Sequence, residues 1–202
     1  MRTFSHPGYK RFLLSVGCLL SIHFTALFFL TLFRLVFFFS ANYDFPDQEH
    51  VGFMSIWPAF IRGVWFDNVI ACYILLIPLV AVSISALFNY YGKILWNVTC
   101  IFFSLFYGIV LLVTAANIPY FQYFFKIINS SVFNWFGYMN TTAGMVFGET
   151  SYYPPLIGFL LTLVLFIWLM RRLIRHFQRL LNTKNPSVFW LDRIYIFLTA
   201  GI

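Results

Sequence analysis

The stretch that decides the fold is FIRGVWFDNVIACYILLIP, residues 60–78. It opens an apolar run long enough to cross a bilayer, yet it carries Arg62 and Asp67. A charged side chain at the centre of a spanning helix costs about 2.5–3.5 kcal/mol on insertion scales, so it usually has a partner or a task. The remaining features of the sequence indicate which of the two applies here.

The composition is that of an integral membrane protein. Of the 202 residues, 61% are hydrophobic, 9% are charged and 28 are Phe. Soluble domains average roughly 25% charged residues, and long apolar runs with few charges are typical of membrane chains. A formal charge of +7 would suggest nucleic acid or lipid head groups as partners of a soluble protein. In a membrane chain the placement of the charges matters more than their sum, and we expect no nucleic-acid partner.

The apolar runs predict an all-α membrane protein, a bundle of four complete transmembrane helices plus a truncated fifth. The spans are expected at about 12–39, 60–88, 94–116 and 155–170, with a fifth beginning at 190–202. The short turn at 89–93 predicts that spans two and three are antiparallel neighbours. Segment 117–153 is rich in aromatics but interrupted by Pro119, Lys126 and several Asn and Gly residues. It predicts one or two short interfacial helices on the outer face.

Lys and Arg set the predicted orientation. With the N-terminus in the cytoplasm, the inner segments collect most of the basic residues, including a run after the fourth span that forms an inner-leaflet basic patch. The patch consists of Arg171, Arg172, Arg175 and Arg179. A topology signal explains this run, and binding of anionic lipid is the alternative. The fifth run then leads outward and stops short of a full span. We expect the chain to be truncated, and the alternative is that its tail rests at the inner interface.

Arg34 and Asp67 are the candidate site. Counting inward from Ser40 and Pro58 at 1.5 Å per residue places them at similar depth, about 9 and 13 Å from those positions. A buried ion pair that fixes one helix against the other is the first hypothesis, because each charge alone would be uncompensated in low dielectric. The second hypothesis is a contact with a phosphate or lipid head group, with Arg34 or Arg62 as the donor.

Other polar residues carry weaker signals. Loop residues Asp44, Asp47, Glu49 and His50 offer donors for a hard cation, but their spacing matches no EF-hand, so we expect a solvated loop and no metal site. His23, in mid-span, is expected to be hydrogen-bonded within the bundle rather than to relay protons. No nucleophile–base constellation is present, so we predict no catalytic residue and no cofactor in this chain.

A family resemblance emerges from five features taken in order. They are Arg34 in LFRLVFFF, Gly63-Val-Trp-Phe66-Asp67, the segment 117–124 (NIPYFQYF), the Tyr153-Pro154 step into span four, and an outward fifth span. Together they resemble the N-terminal membrane domain of the lipoteichoic acid synthase family, which includes phosphoethanolamine transferases and sulfatase-like proteins of the alkaline phosphatase superfamily. Asn117 departs from the pattern, since the family more usually has Asp there.

The resemblance implies an anchor of five spans in a bacterial cytoplasmic (inner) membrane, ahead of an extracytoplasmic catalytic domain with a Thr nucleophile and a divalent metal. That domain is absent from this chain, so no catalytic residue is carried over. Membrane phospholipid is the implied partner, met by lipid-facing surface helices. Their residues are Tyr120, Phe121, Tyr123, Phe124, Trp135 and Tyr138. The alternative is a self-contained small multispan protein, such as a transporter subunit or assembly scaffold, and the oligomeric state stays open.

Overall fold

The computed structural model describes residues 7–43, 53–129 and 150–181, with single positions at 144, 148, 193, 194, 196, 197 and 199. Four long α-helices make up this part of the chain, and it contains no strand. A 3₁₀ turn, Thr150–Tyr152, directly precedes the last of them. The helices are α1 (Pro7–Tyr43), α2 (Phe53–Leu87), α3 (Lys93–Phe124) and α4 (Tyr153–Leu181).

All four helices are long and apolar enough to cross a membrane, with candidate spans Gly8–Ser40, Trp57–Leu87, Lys93–Gln122 and Tyr153–Leu181. The prediction of an all-α chain with four helices long and apolar enough to span a membrane is therefore confirmed for the residues that the structure describes. Helices suit this setting because each satisfies its own backbone hydrogen bonds where no water is present. The predicted fifth helix at 190–202 and the interfacial segment beyond residue 129 fall largely outside the described residues.

The end of α3 differs from the sequence prediction. Residues 117–124 were expected to begin an interfacial segment, but they continue α3 without a break, with Pro119 inside the helix. Proline removes one backbone hydrogen bond, which spanning helices tolerate because local adjustments and neighbouring groups satisfy the freed carbonyl. The helix ends instead at Phe124, and the next residue, Phe125, has a φ of 53° in the left-handed region.

The α2–α3 turn is closed by a backbone motif that the sequence signals only in part. Asn89 has φ 54°, its N–H donates to the carbonyl of Ala86 (3.0 Å), and the N–H of Tyr90 donates to that of Ser85 (2.8 Å). This hydrogen-bond pair is the Schellman arrangement, with Asn in the position that glycine usually occupies. The short predicted turn is therefore the C-terminal cap of α2, and α3 begins soon after it at Lys93.

The buried face of α1 follows helical spacing. Its fully or nearly buried apolar residues recur every three or four positions, so one stripe of the helix packs inward. They are Phe12, Cys18, Leu19, Ile22, Ala26, Phe29, Leu30 and Phe33. Hydroxyl groups in the spans donate hydrogen bonds to the backbone carbonyl four residues earlier. Examples are Ser21 to Gly17 and Thr114 to Val110, both at 2.8 Å. This bond satisfies a polar group where hydrocarbon surrounds the helix.

The helices contribute to two compact units. The first comprises Met1–Leu27, Asn68–Tyr107 and Phe166–Ile202, and the second Phe28–Asp67 and Gly108–Leu165. In the first, Tyr107 is buried against the rings of Phe103 (centroids 5.6 Å apart) and Phe166 (5.5 Å). These rings join α3 to α4.

A second cluster in the first unit brings in the C-terminal segment. Ile196 is buried with Phe12 and Ala86, and Tyr91 packs against them. Burial raises the pKa of Tyr91 to about 12, although the positive charge of Arg11 acts in the opposite direction. The phenol is therefore neutral at physiological pH.

Candidate functional site

Arg34 of α1 and Asp67 of α2 form a two-pronged ion pair in the second unit. Arg34 Nη2 donates to Asp67 Oδ1 and Oδ2, each at 2.8 Å, and Arg34 Nε donates to Oδ2 at 3.1 Å. The two side chains are 31% and 14% exposed. Both carboxylate oxygens are thus engaged, and guanidinium and carboxylate meet in the side-on geometry that makes such pairs strong and directional.

Gly63 makes room for this pair. It lies four residues before Asp67, so the two positions share one face of α2. A Cβ placed at Gly63 would lie 2.8 Å from Arg34 Nε and closer still to Cζ and Nη1. The guanidinium therefore lies directly against the α2 backbone at Gly63, one turn from the carboxylate that binds it. Gly63 and Asp67 act together, which accounts for both in the motif Gly-x-x-Phe-Asp.

Arg62 has a different position. Its side chain is exposed on α2 and makes no ion pair or hydrogen bond with residues that the structure describes. Of the three charged residues named from the sequence, Arg34 and Asp67 form the ion pair, and Arg62 does not take part in it. Arg62 and the exposed third of Arg34 are both cationic groups near this end of α2.

The aromatic residues assigned to surface helices divide into two groups. Tyr120, Phe121, Tyr123 and Phe124 lie in the last turns of α3, while Trp135 and Tyr138 lie outside the described residues. Phe121 packs edge-to-face on Phe37 of α1, with ring centroids 5.2 Å apart, and Phe124 is exposed. Within the described part of the group, Phe121 therefore contributes to the packing of α3 against α1.

Asn117 stabilises the chain just after α3. Its Oδ1 accepts a hydrogen bond from the backbone N–H of Ile128 at 2.8 Å. A neutral amide oxygen satisfies this backbone donor without bringing a charge into an apolar region. The residue in which the chain departs from the family pattern therefore has a structural role of its own.

The basic residues of α4 form one exposed face. Arg171, Arg172, Arg175 and Arg179 are all exposed and fall within a sector of about 100°. Met170, Ile174 and Leu181 are buried on the same length of helix. Arg172 also lies over the ring of Trp168, 5.3 Å from its centroid, within the range of a cation–π interaction.

Three polar residues of the site region were not singled out from the sequence. Asn68 Oδ1 lies 3.1 Å from Nε2 of buried His23, so that histidine is hydrogen-bonded within the first unit as expected. In the second unit, Gln122 Nε2 donates to Ser40 Oγ at 3.1 Å. The sequence signal that could have found these residues is a polar side chain in an apolar helix. The partner of such a side chain depends on how each helix is rotated about its axis, and the hydrophobic pattern of the sequence does not give that rotation.

The chemistry open to this arrangement is electrostatic and structural. Among the described residues, no three His, Cys, Asp or Glu side chains group in a metal-binding arrangement. The loop with Asp44 and His50, whose side chains offer donors for a cation, lies outside the described residues.

Searches of protein-family models, curated proteins and solved structures found no match to this chain.

Proposed function

We propose that this chain is the membrane-anchor domain of a lipoteichoic acid synthase-like enzyme, a phosphoglycerol or phosphoethanolamine transferase or a sulfatase-like relative, and that it is non-catalytic by itself. The observation that carries this proposal is the Arg34–Asp67 pair against Gly63. Three residues on which the resemblance rests act together there as one structural unit. Their shared geometry supports reading the Gly-x-x-Phe-Asp sequence as a motif rather than as a chance run of residues.

The proposed setting is a bacterial cytoplasmic membrane with the N-terminus inside. The basic face of α4 supports this orientation, because Lys and Arg concentrate on the cytoplasmic side. Membrane phospholipid is the proposed partner, and a divalent metal belongs to the catalytic domain rather than to this chain. The anchor keeps that domain next to the outer leaflet, where lipid head groups are present at high local concentration.

The proposed orientation has a direct test. A fluorescent protein fused after Leu181, or in the α2–α3 turn after Tyr91, should fluoresce, since both sites are then cytoplasmic. Alkaline phosphatase fused at the same two sites should be inactive. The opposite pattern at both sites would overturn the orientation.

The function itself is tested by the reading frame that follows the Ile202 codon and by the size of the native protein. We expect the frame to continue into a domain with a Thr nucleophile and dispersed His, Asp and Glu ligands. An antibody against this chain should then detect one large membrane protein. A native stop codon directly after Ile202, with a small protein in the membrane, would favour the self-contained multispan protein and exclude the anchor.

A further inference from the structure

The second unit contains a cavity of about 350 Å³ between α1, α3 and α4. Its walls run along one face of each helix, from Ser40 to Leu32 on α1 and from Pro154 to Thr162 on α4, with Ile118 and Gln122 contributed by α3. Most of the lining is apolar. Water binds poorly in an apolar cavity of this kind, because a buried water molecule needs several polar partners.

Two of the three polar side chains that line the cavity, Ser40 and Gln122, lie together at one end, and Thr162 lies at the other. Ser40 and Gln122, joined by the 3.1 Å hydrogen bond, are the last residues of their candidate spans. Pro154 is the second residue of the span Tyr153–Leu181. All three therefore lie near an end of their candidate spans. The cavity is more polar at this end than along the rest of its length, where Thr162 is the one other polar side chain of the lining.

The depth of the cavity matches one leaflet. Eight residues separate Leu32 from Ser40 and Pro154 from Thr162, a distance of about 12 Å along each helix. Half of a hydrocarbon core of about 30 Å is about 15 Å. An acyl chain that enters between Ser40 and Pro154 therefore has room for about 12 Å of its length.

The volume selects a hydrocarbon chain over a helix. A 12 Å length of α-helix, about 10 Å across, occupies about 900 Å³, well over twice the cavity. A transmembrane helix of a partner or of a second copy therefore does not fit inside. An extended acyl chain is much thinner, and its ester oxygens accept hydrogen bonds of the kind that the Ser40 hydroxyl donates.

The α4 wall is suited to close approach by a chain. A Cβ placed at Gly158 would meet no heavy atom within 4 Å, so the missing side chain leaves open space rather than a packed contact. Pro154 and Pro155 lie in the first turn of α4, where proline leaves no backbone N–H without a partner. The mouth of the cavity therefore presents few unsatisfied donors to the hydrocarbon.

From these observations we propose that the cavity binds one acyl chain of a membrane phospholipid, with the ester region held beside the Ser40–Gln122 pair. The site is formed by this chain's own helices, so it does not depend on a catalytic domain beyond Ile202. It also differs from the Arg34–Asp67 pair, which holds α1 to α2. Bound lipid would replace the packing contacts that α1, α3 and α4 lack around the cavity.

The test uses the whole chain in nanodiscs that contain phosphatidylethanolamine with a photoreactive diazirine in its acyl chain. After illumination, mass spectrometry should map cross-links to 154–162 and 118–122. Gly158→Leu places a side chain in the open space and should lower that labelling about tenfold, equivalent to about 1.4 kcal/mol of binding. Val164→Phe, at a site on α4 that is 67% exposed, adds bulk outside the cavity and should leave labelling unchanged.

A second variant, Thr162→Phe, fills the deep end and covers the possibility that Gly158→Leu fails to fold. Ser40→Ala should reduce phospholipid labelling less than either filling variant does. Equal labelling of wild type and a folded filling variant would overturn the site. Residue-specific cross-links between two copies through the cavity lining would do the same, because they would show a protein occupant.

Discussion

The strongest quantitative expectation concerns the coupling of Arg34 to Asp67. Breaking a buried ion pair by removing one partner costs about 3–5 kcal/mol, while exposed pairs contribute about 0–1 kcal/mol. With side chains 31% and 14% exposed, this pair lies between those limits. We expect Arg34→Gln and Asp67→Asn each to lower the free energy of unfolding by about 2–3 kcal/mol.

The double variant should lose much less than the sum of the single losses, because it leaves no charge without a partner. We expect a total loss of about 2 kcal/mol and hence a coupling energy of about 2–4 kcal/mol. Arg34→Gln should be the more damaging single change, since the short Asp67 side chain cannot extend to water. Arg34 can do so in the Asp67→Asn variant by extending its long stem.

The assay is reversible unfolding in mixed micelles, with the free energy of unfolding extrapolated for wild type, both single variants and the double variant. Arg62→Gln is the matched control, because it removes an exposed arginine of α2 that has no ion pair with the described residues. It should change stability by no more than about 0.5 kcal/mol. Single losses that add within about 0.5 kcal/mol would refute the coupling.

Two further substitutions test local backbone geometry. Gly63→Ala should destabilise the protein by about 1–3 kcal/mol because its Cβ displaces the guanidinium. In an Arg34→Ala background the same substitution should stabilise the protein by about 0.4–1 kcal/mol. A stability change of the same sign in both backgrounds would contradict the close approach of Arg34 to Gly63. Asn89→Ala should be less stable than Asn89→Gly by about 1 kcal/mol, since φ 54° strains a residue with a Cβ. Equal thermal denaturation midpoints for the two Asn89 variants would count against that cap.

The number of spans was predictable from the sequence because a bilayer demands long apolar runs, and the four confirmed helices supply them. Their ends were less predictable. Pro119 was read as an interruption, yet α3 continues to Phe124 because one missing hydrogen bond is tolerated in a spanning helix. The basic run after residue 170 likewise continues α4, since Arg is a good helix former.

Side-chain pairing was predictable only where charge restricted the choice. Matching depth sufficed to nominate Arg34 and Asp67, because few other charges lie in the spans. The same reasoning could not find Gln122 as the partner of Ser40, or Asn68 as that of His23. Helices that are apolar on every side give no hydrophobic stripe from which to read their rotation, as lipid and bundle core both accept the same residues.

The Gly63–Asp67 spacing gives the opening stretch a physical role that does not require catalysis. The side chain of Arg34 on α1 needs a carboxylate on α2 to pair with its charge. It also needs a gap between the side chains of α2 through which the guanidinium can reach that carboxylate. Glycine and aspartate one turn apart meet both needs on one helix face. Replacing either residue should therefore loosen α1 from α2 before it affects any lipid contact. Arg62, whose exposed side chain is not engaged in this pair, is the residue on which a head-group contact can be tested without disturbing the helix packing.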